Sequence, residues 1–200
     1  MAAMEYLTVQ GRAADVLEAA RKSFLTKGYK GSAIAKIAET SDISMAHIYN
    51  FYPSKMDLAC AVVGNEVMKM IARLENAADH NASATDRLKQ VLLFEFQETF
   101  RLLEQNPGLA SCMQAIASKR RSYFDKLRYQ SRPIIETVLR SGNFSEEFDV
   151  QDVRRTSKLI HFATTKFRYA QLFGEEDPAV LREECTGVVM LILKGLEKRL

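Results

Sequence analysis

The stretch SMAHIYNFYPSK, residues 44–55, decides the fold of the first part of this chain. Serine is a preferred helix cap, so Ser44 predicts that a helix begins there, and this helix must end before Pro53. The residues that follow, SKMD, have the form of a capping box and predict that another helix begins at Ser54. A short helix rich in aromatic residues is therefore followed at once by a new helix.

The preceding residues predict two more helices. Apolar residues recur at helical spacing over residues 9–24, and Gly28 offers a stop. A second helix fits residues 33–40 with Ser32 as its cap, and residues 41–43 form a tight turn. Two short helices joined by a tight turn and packed on a longer helix make a helix-turn-helix, whose second helix enters the major groove of DNA.

The composition agrees with an all-α protein. The chain has 200 residues, 47% of them hydrophobic, with 9 glycines, 4 prolines and a net charge of +3. No apolar run is long enough to cross a membrane, no signal peptide is recognisable, and the three cysteines are scattered. We therefore expect a cytoplasmic protein without a membrane partner. The mild positive charge permits an anionic partner without requiring one.

Beyond the helix-turn-helix the pattern stays helical. We expect a DNA-binding domain at residues 1–55, a fourth helix at 54–76 as connector, and a larger domain at 56–200. Within the larger domain, periodicity and turn residues predict further helices near 85–105, 109–117, 119–141, 150–173 and 178–199. Residues 141–143 are predicted to separate two of them, and Pro133 to kink or break another.

Several side chains are candidates for DNA contact. On a helix that starts at Ser44, Ile48 and Tyr52 face the core and the other side chains lie around the surface. Serine hydroxyls at helix starts can contact phosphate, and Lys55 with the free N–H groups of its helix makes an anion site. The predicted DNA-binding set is Ser32, Ser44, Met45, Ala46, His47, Tyr49, Asn50 and Lys55.

These residues also carry a resemblance. Residues 16–58 are similar to the DNA-binding domain of TetR-family transcriptional regulators in the identity and spacing of Ala19, Ala20, Phe24, Gly28, Tyr29, Ser32, Ile37, Ala38, Ser44, Ile48, Tyr49, Ser54, Lys55 and Leu58. The resemblance implies a regulator, most often a repressor, that binds a palindromic operator in double-stranded DNA as a homodimer. It also implies an all-α C-terminal domain for dimerisation and for an unknown small-molecule effector.

Besides Ala13, which stands where an arginine is common in the family, three positions depart from the family pattern. Asp42 replaces the usual turn glycine, Ala46 replaces a glycine that lets the helix approach DNA, and Phe51 stands where a phosphate-binding histidine or tyrosine is common. Aspartate tolerates a left-handed backbone, so the turn can survive. The other two changes leave a second hypothesis open, in which the protein is an all-helical partner-binding protein and its helix-turn-helix is only structural.

The last helix suggests the dimer interface. It contains VVMLIL, residues 188–193, and a helix that is apolar all round must be covered on more than one side. We therefore place Val188, Val189 and Ile192 in the interface, with burial inside one subunit as the alternative.

A candidate effector pocket combines apolar and polar side chains. Phe96 and Phe100 lie on an apolar stripe, and HFATTKFRY, residues 161–169, is more polar than a core helix should be. The predicted pocket residues are Phe96, Phe100, His161, Thr165 and Arg168, for which plain packing is the alternative.

No motif points to catalysis or to a cofactor. The chain has no H-E-x-x-H, no phosphate-binding glycine loop and no G-x-S-x-G. Its three histidines, His47, His80 and His161, lack metal-ligand spacing. We therefore expect no catalytic residue, no metal site and no cofactor.

Overall fold

A computed structural model describes residues 2–77, 81–168 and 177–198, and His80 lies outside them. The described residues form helices without a strand, apart from one isolated bridge between Phe148 and Glu197. In order the helices are α1 Ala2–Gly31, α2 Ile34–Ser41, α3 Met45–Phe51, α4 Lys55–Ala77, α5 Ala84–Gln105, α6 Pro107–Lys119, α7 Arg121–Arg128, α8 Arg132–Phe144, α9 Val153–Ala163, α10 Thr165–Arg168 and α11 Pro178–Leu196. The predicted all-α class is confirmed.

Packing divides the chain into two compact units. Unit 1 comprises residues 1–67 and 103–127, and unit 2 comprises residues 68–102 and 128–200. Helix α6 and nearly all of α7 therefore belong to the same unit as the helix-turn-helix, although they come later in the chain. The main chain crosses between the units three times, within α4, α5 and α7.

Unit 1 is built on α1, which packs on α2, α3 and α6. Phe24 is fully buried at its centre, together with Ile37 and Ile48 from the two short helices. The predicted stop at Gly28 is a sharp irregularity, because its φ of 72° interrupts the helix before the chain continues to Gly31. Glycine suits this left-handed backbone because it has no Cβ.

Gly108 brings α6 into backbone contact with α1. A Cβ at this position would overlap the Phe24 carbonyl oxygen and the Gly28 nitrogen. Ser111, one turn later, accepts a hydrogen bond from the Tyr29 N–H at 3.3 Å. Only glycine allows the two helices to approach so closely, so residue 108 fixes the position of α6 in unit 1.

Two predicted breaks between helices occur close to their predicted positions. The predicted helix 119–141 is divided near Pro133 as expected: α7 ends at Arg128, Pro133 stands in the first turn of α8, and the connection brings Ser131 against a buried carboxylate of α5. The separation predicted at residues 141–143 lies slightly later, since α8 continues to Phe144 and α9 begins at Val153. Gly142 lies within this helix because the Phe148 ring occupies the place where a Cβ would stand.

The end of the chain differs in part from the sequence expectation. The predicted helix 150–173 ends at Ala163 and is followed by the short α10, while residues 169–173 lie outside the described residues. Asp177 caps α11 as predicted, its carboxylate accepting the Ala179 N–H at 2.8 Å with Pro178 at the first helical position.

Candidate nucleic-acid interface and buried polar cluster

The short helix α3 is held by its ends and by one buried side chain. Ser44 caps it, its hydroxyl accepting the His47 N–H at 3.2 Å, and Ile48 is fully buried. The turn before it depends on Asp42, whose left-handed backbone (φ 54°) directs its N–H to the last carbonyls of α2. After α3, Ser54 caps α4 as predicted: the Asp57 N–H donates to Ser54 Oγ at 3.1 Å, and the Ser54 hydroxyl donates to the Asp57 carboxylate at 2.6 Å. Local hydrogen bonds therefore fix the turn before α3, its first residues and the start of the helix that follows it.

Most of the predicted DNA-contacting residues lie on the surface of α3. Ser44, Ala46 and Asn50 are exposed, as is Tyr49 with 44% of its surface accessible. The remaining member of this exposed set is Met45. Met45 and Tyr49 are four residues apart, so an exposed thioether and an exposed aromatic ring share one side of α3.

The aromatic residue Phe51 supports its neighbour. Its ring lies 5.2 Å from the His47 ring, measured between centroids, and both side chains are half-buried. Phe51 therefore braces the imidazole one turn before it. Phenylalanine at this position therefore orients the His47 ring, although it cannot bind phosphate.

Ser32 is placed differently from the prediction. Residue Ala33, not Ser32, is the N-cap of α2, and no side chain caps that helix. The Ser32 hydroxyl is buried, donates to the Gly28 carbonyl oxygen at 2.9 Å and accepts from Ser23 Oγ at 2.9 Å. The predicted cap is therefore wrong, and this hydroxyl bridges the end of α1 instead of facing DNA.

Lys55 lies at the first position of α4, directly after the helix-turn-helix. Its ammonium stands over the Tyr29 ring, 4.7 Å from the centroid. Burial lowers the pKa of Lys55, and the nearby Lys119 ammonium acts in the same direction. The side chain is half-buried, so its methylene groups pack against the protein and restrict the position of the ammonium group.

The predicted dimer residues divide between the core and the surface of α11. Val189 is fully buried inside unit 2 on one stripe with Leu181, Cys185 and Leu193. Its predicted place in an interface is therefore wrong, because the helix turns this side chain towards its own subunit. Val188 and Ile192 are half-buried. The exposed apolar side chains of the segment are Met190 and Leu191, at 46% and 70%.

The predicted pocket residues meet in the interior of unit 2. Phe96, His161 and Arg168 are buried, and Phe100 and Thr165 are half-buried. The Phe96 ring contacts those of Phe100 and Phe167 at centroid distances of 6.2 and 6.5 Å. Polar and aromatic side chains from α5, α9 and α10 therefore lie together, as the sequence suggested.

A buried ion pair anchors this cluster. Arg168 Nη1 donates to Glu95 Oε2 at 2.9 Å, and Ser131 Oγ donates to Glu95 Oε1 at 2.6 Å. The other arm of Arg168 donates to the His161 carbonyl oxygen, which also accepts from Thr165 Oγ1 at 2.8 Å. Carbonyls at the end of a helix lack intrahelical partners, so Arg168 both neutralises Glu95 and caps α9.

The His161 side chain is the least satisfied group of the cluster. Neither ring nitrogen has a hydrogen-bond partner among the described residues, and the same holds for Arg168 Nε. The imidazole lies 4.9 Å from the Tyr129 ring, which also carries the guanidinium groups of Arg128 and Arg132 on its faces. Burial lowers the pKa of His161 to about 3, with further contributions from Arg168, Arg128 and Arg132. The neutral ring offers one donor and one acceptor.

This neutral imidazole should make the protein sensitive to acid. The pKa of His161 is about 3 in the folded state and about 6.5 in an unfolded chain, so the unfolded state binds more protons between these values. We expect the free energy of unfolding to fall by about 2 kcal/mol more in the wild type than in His161→Gln as the pH drops from about 6.5 to about 5. Urea unfolding of both proteins across this range measures the difference; parallel curves would contradict the buried neutral histidine.

Three residues of the two sites were not found by sequence reasoning. Glu95 lies in a predicted helix and Ser131 in a basic segment, and neither segment indicates that the two side chains form a hydrogen bond. Gly108 is recognisable in the sequence only as part of a turn. The closest indication in the sequence is the polar segment 161–169, because polar side chains in a core helix require polar partners on a neighbouring helix. A shallow open groove elsewhere in unit 2 involves none of the predicted pocket residues; it is lined by Pro178, Ala179, Arg182, Glu183, Thr186 and Gly187.

The sequence matches two family models. Residues 16–62 match the model of bacterial regulatory proteins of the tetR family, and residues 84–189 match the tetracyclin repressor-like C-terminal domain. The chain belongs to the TetR family of transcriptional regulators. This TetR-family protein is thus a DNA-binding transcriptional regulator, in agreement with the helix-turn-helix predicted from residues 16–58.

Relatives of this TetR-family protein are distant in sequence. It is 23% identical over 192 residues to the uncharacterised regulator YhgD of Bacillus subtilis, covering 90% of this chain and 94% of that one. It is 24% identical over 152 residues to the repressor KstR2 of Mycobacterium tuberculosis, covering 74% and 76% of the two chains.

Solved structures show the same fold. A transcriptional regulator from Cytophaga hutchinsonii has a TM-score of 0.73 at 18% identity, with 92% of this chain and 97% of that one covered. The regulator FadR from Bacillus subtilis, in complex with stearoyl-CoA, has a TM-score of 0.64 at 20% identity, with 92% and 99% covered.

Two further classes of feature are absent from the described parts of the chain. No helix there is both long and apolar enough to span a bilayer. Nor do the described histidine, cysteine and acidic side chains form a group of three or more that could hold a metal ion.

Proposed function

We propose that this protein is a cytoplasmic, ligand-responsive repressor that binds a palindromic operator as a homodimer. The observation that carries the proposal is the surface of α3, where Tyr49, Asn50 and Met45 are exposed around the buried anchor Ile48. A rigid short helix with polar and aromatic side chains outward suits the major groove. The repressor relatives KstR and KstR2 support repression over activation.

The proposed DNA-binding surface comprises Ser44, Met45, Ala46, His47, Tyr49, Asn50 and Lys55. His47 reads a base edge because Phe51 holds its ring in place. Tyr49 and Lys55 contact phosphates, which fix the position of the helix without reading sequence. A dimer presents two such helices to half-sites roughly 34–36 Å apart, or somewhat further.

The dimer is proposed to form through the exposed side of α11. Leu191 and Met190 lie on this side, and the glycines at 187 and 195 have open space where a Cβ would stand. Small residues next to exposed apolar ones let a second helix approach closely. Val188 and Ile192 form the half-buried edge of this surface.

The effector is proposed to bind at the cluster of Phe96, Phe100, His161, Thr165 and Arg168. The buried nitrogens of His161 and Arg168 that lack partners among the described residues support this, since an unsatisfied buried polar group costs about 1–3 kcal/mol. An apolar ligand with one hydrogen-bonding group suits the phenylalanine rings and the neutral imidazole. FadR binds stearoyl-CoA and KstR2 is described as a ketosteroid regulator, which is consistent with such a ligand. Effector binding and operator binding then affect each other equally.

The test is selection of bound sequences from genomic DNA with the purified protein, followed by binding of the enriched site. His47→Ala should weaken binding to that site by about 1–3 kcal/mol and leave binding to random DNA unchanged, because only a base contact is lost. Fluorescence anisotropy with both duplexes measures this.

Equal losses on both duplexes would show that His47 contacts the backbone. If the wild type binds no duplex at any salt concentration, the proposed function fails as a whole.

A further inference from the structure

The ring of Tyr29 carries two lysines from different helices. Lys55, at the start of α4, lies 4.7 Å from the ring centroid, and Lys119, in the last turn of α6, lies 5.5 Å from it. The ring itself is fixed, since it stacks on Phe24 at 6.2 Å and the Tyr29 N–H is bonded to Ser111. Two ammonium groups are therefore held on one rigid platform.

These two lysines have no carboxylate of their own. In the described part of the chain, neither ammonium forms an ion pair or a hydrogen bond. An acidic residue of the same region, Asp57, is engaged by Arg120 at 3.5 Å and by the Ser54 hydroxyl at 2.6 Å. Two neighbouring like charges without a counter-charge repel each other, and a bound anion removes that repulsion.

The position of the pair identifies the anion. Lys55 follows α3 after only Tyr52, Pro53 and Ser54, so it stands at the edge of the proposed reading surface. Phosphates line the edges of the groove that α3 enters, and most protein–DNA hydrogen bonds go to them. Lys119 reaches the same place because Gly108 and Ser111 seat α6 directly on α1.

We propose that Lys119 joins Lys55 in a phosphate-binding site on the Tyr29 ring, so that α6 takes part in holding the DNA backbone. This inference rests on the proposed function, because it assumes that α3 enters the major groove. It adds a contact from outside the helix-turn-helix, from a segment that matches the C-terminal family model.

The test is the salt dependence of DNA binding. Each phosphate contact contributes about 0.9 to the slope of log affinity against log salt concentration. Lys119→Ala should lower this slope by about 0.9 for each reading head. A fourfold rise in salt concentration should therefore weaken binding by one wild-type head about 3.5-fold more than binding by one variant head. The loss should be equal on operator and random DNA, because a phosphate contact carries no sequence information.

Three variants serve as controls. Lys119→Arg keeps the charge and should keep the slope, and Lys55→Ala should lower it as Lys119→Ala does. Lys89→Ala removes the same charge from unit 2 and should leave the slope unchanged. Circular dichroism of each variant establishes that helicity is retained, and Lys119→Gln replaces Lys119→Ala if the alanine variant is unstable.

The outcomes separate this proposal from the proposed function. A lower slope for Lys55→Ala with an unchanged slope for Lys119→Ala and Lys119→Gln would overturn the two-lysine site and leave DNA binding intact. A slope lowered equally by Lys89→Ala would also overturn it, since the effect would then be one of net charge. Failure of the wild type to bind any duplex would overturn both proposals.

Discussion

Arg168→Met should destabilise this protein by about 3–5 kcal/mol, because it leaves a buried carboxylate without its counter-charge. The substitution replaces the guanidinium group with an apolar side chain of similar length. It thereby removes the ion-pair partner of Glu95, and Glu95 is only 3% exposed. The carboxylate would then keep only the Ser131 hydroxyl at 2.6 Å. It would also remove one donor to the His161 carbonyl oxygen at the end of α9, which would keep only the hydroxyls of Thr164 and Thr165.

Urea unfolding followed by circular dichroism measures this loss, and two variants control for it. Lys198→Met breaks the exposed pair between Lys198 and Glu146 in the same unit, and should cost no more than about 1 kcal/mol. The double variant Glu95→Leu with Arg168→Met removes both charges and should recover much of the stability, because no unpaired charge stays buried. If Arg168→Met and Lys198→Met cost the same, the Glu95–Arg168 pair is not buried as described.

Local signals explain why the helix-turn-helix could be predicted from the sequence. Ser44 and Ser54 cap helices through bonds to residues three positions later, and Asp177 caps α11 in the same local way. Apolar spacing placed Ile48 in the core for the same reason. Ser32 shows the limit of such signals, because a serine before a helix can cap it or, as here, bond backwards to Gly28.

Features that depend on distant residues could not be predicted. Glu95 and Arg168 are 73 positions apart, and nothing near either one indicates the other. Gly142 looks like a helix breaker until the Phe148 ring is placed against it. The same limit applies to α11, because six consecutive apolar residues do not indicate which side of the helix faces the core. The sequence alone therefore places Val189 in the interface, whereas this residue lies on the buried side.

Leu191→Glu should convert the proposed dimer into folded monomers. Leu191 is 70% exposed, so the subunit itself tolerates a carboxylate there. Across a two-fold axis the substitution occurs twice in one interface, where two carboxylates lose water and face like charge at a cost of several kcal/mol. Sedimentation velocity measures the mass, and circular dichroism measures the retained helicity.

Operator affinity should fall with the loss of the dimer. Two linked reading heads bind more tightly than one by a factor of about 10²–10⁴, because the second contact is intramolecular. Leu191→Glu should therefore weaken operator binding by a factor in this range, while a single half-site duplex is bound as well as by the wild-type head. Anisotropy titrations with full-site and half-site duplexes separate the two effects.

Two matched variants decide which side of α11 forms the interface. Met68→Glu places the same charge on an exposed apolar position of α4 and should change neither mass nor affinity. Val189→Glu places it on the fully buried side of α11 and should unfold unit 2, because an unpaired charge enters the core. A Leu191→Glu protein that keeps its dimer mass would exclude the exposed side of α11 as the interface, whereas a folded, monomeric Val189→Glu protein would show that the buried stripe had been assigned to the wrong side.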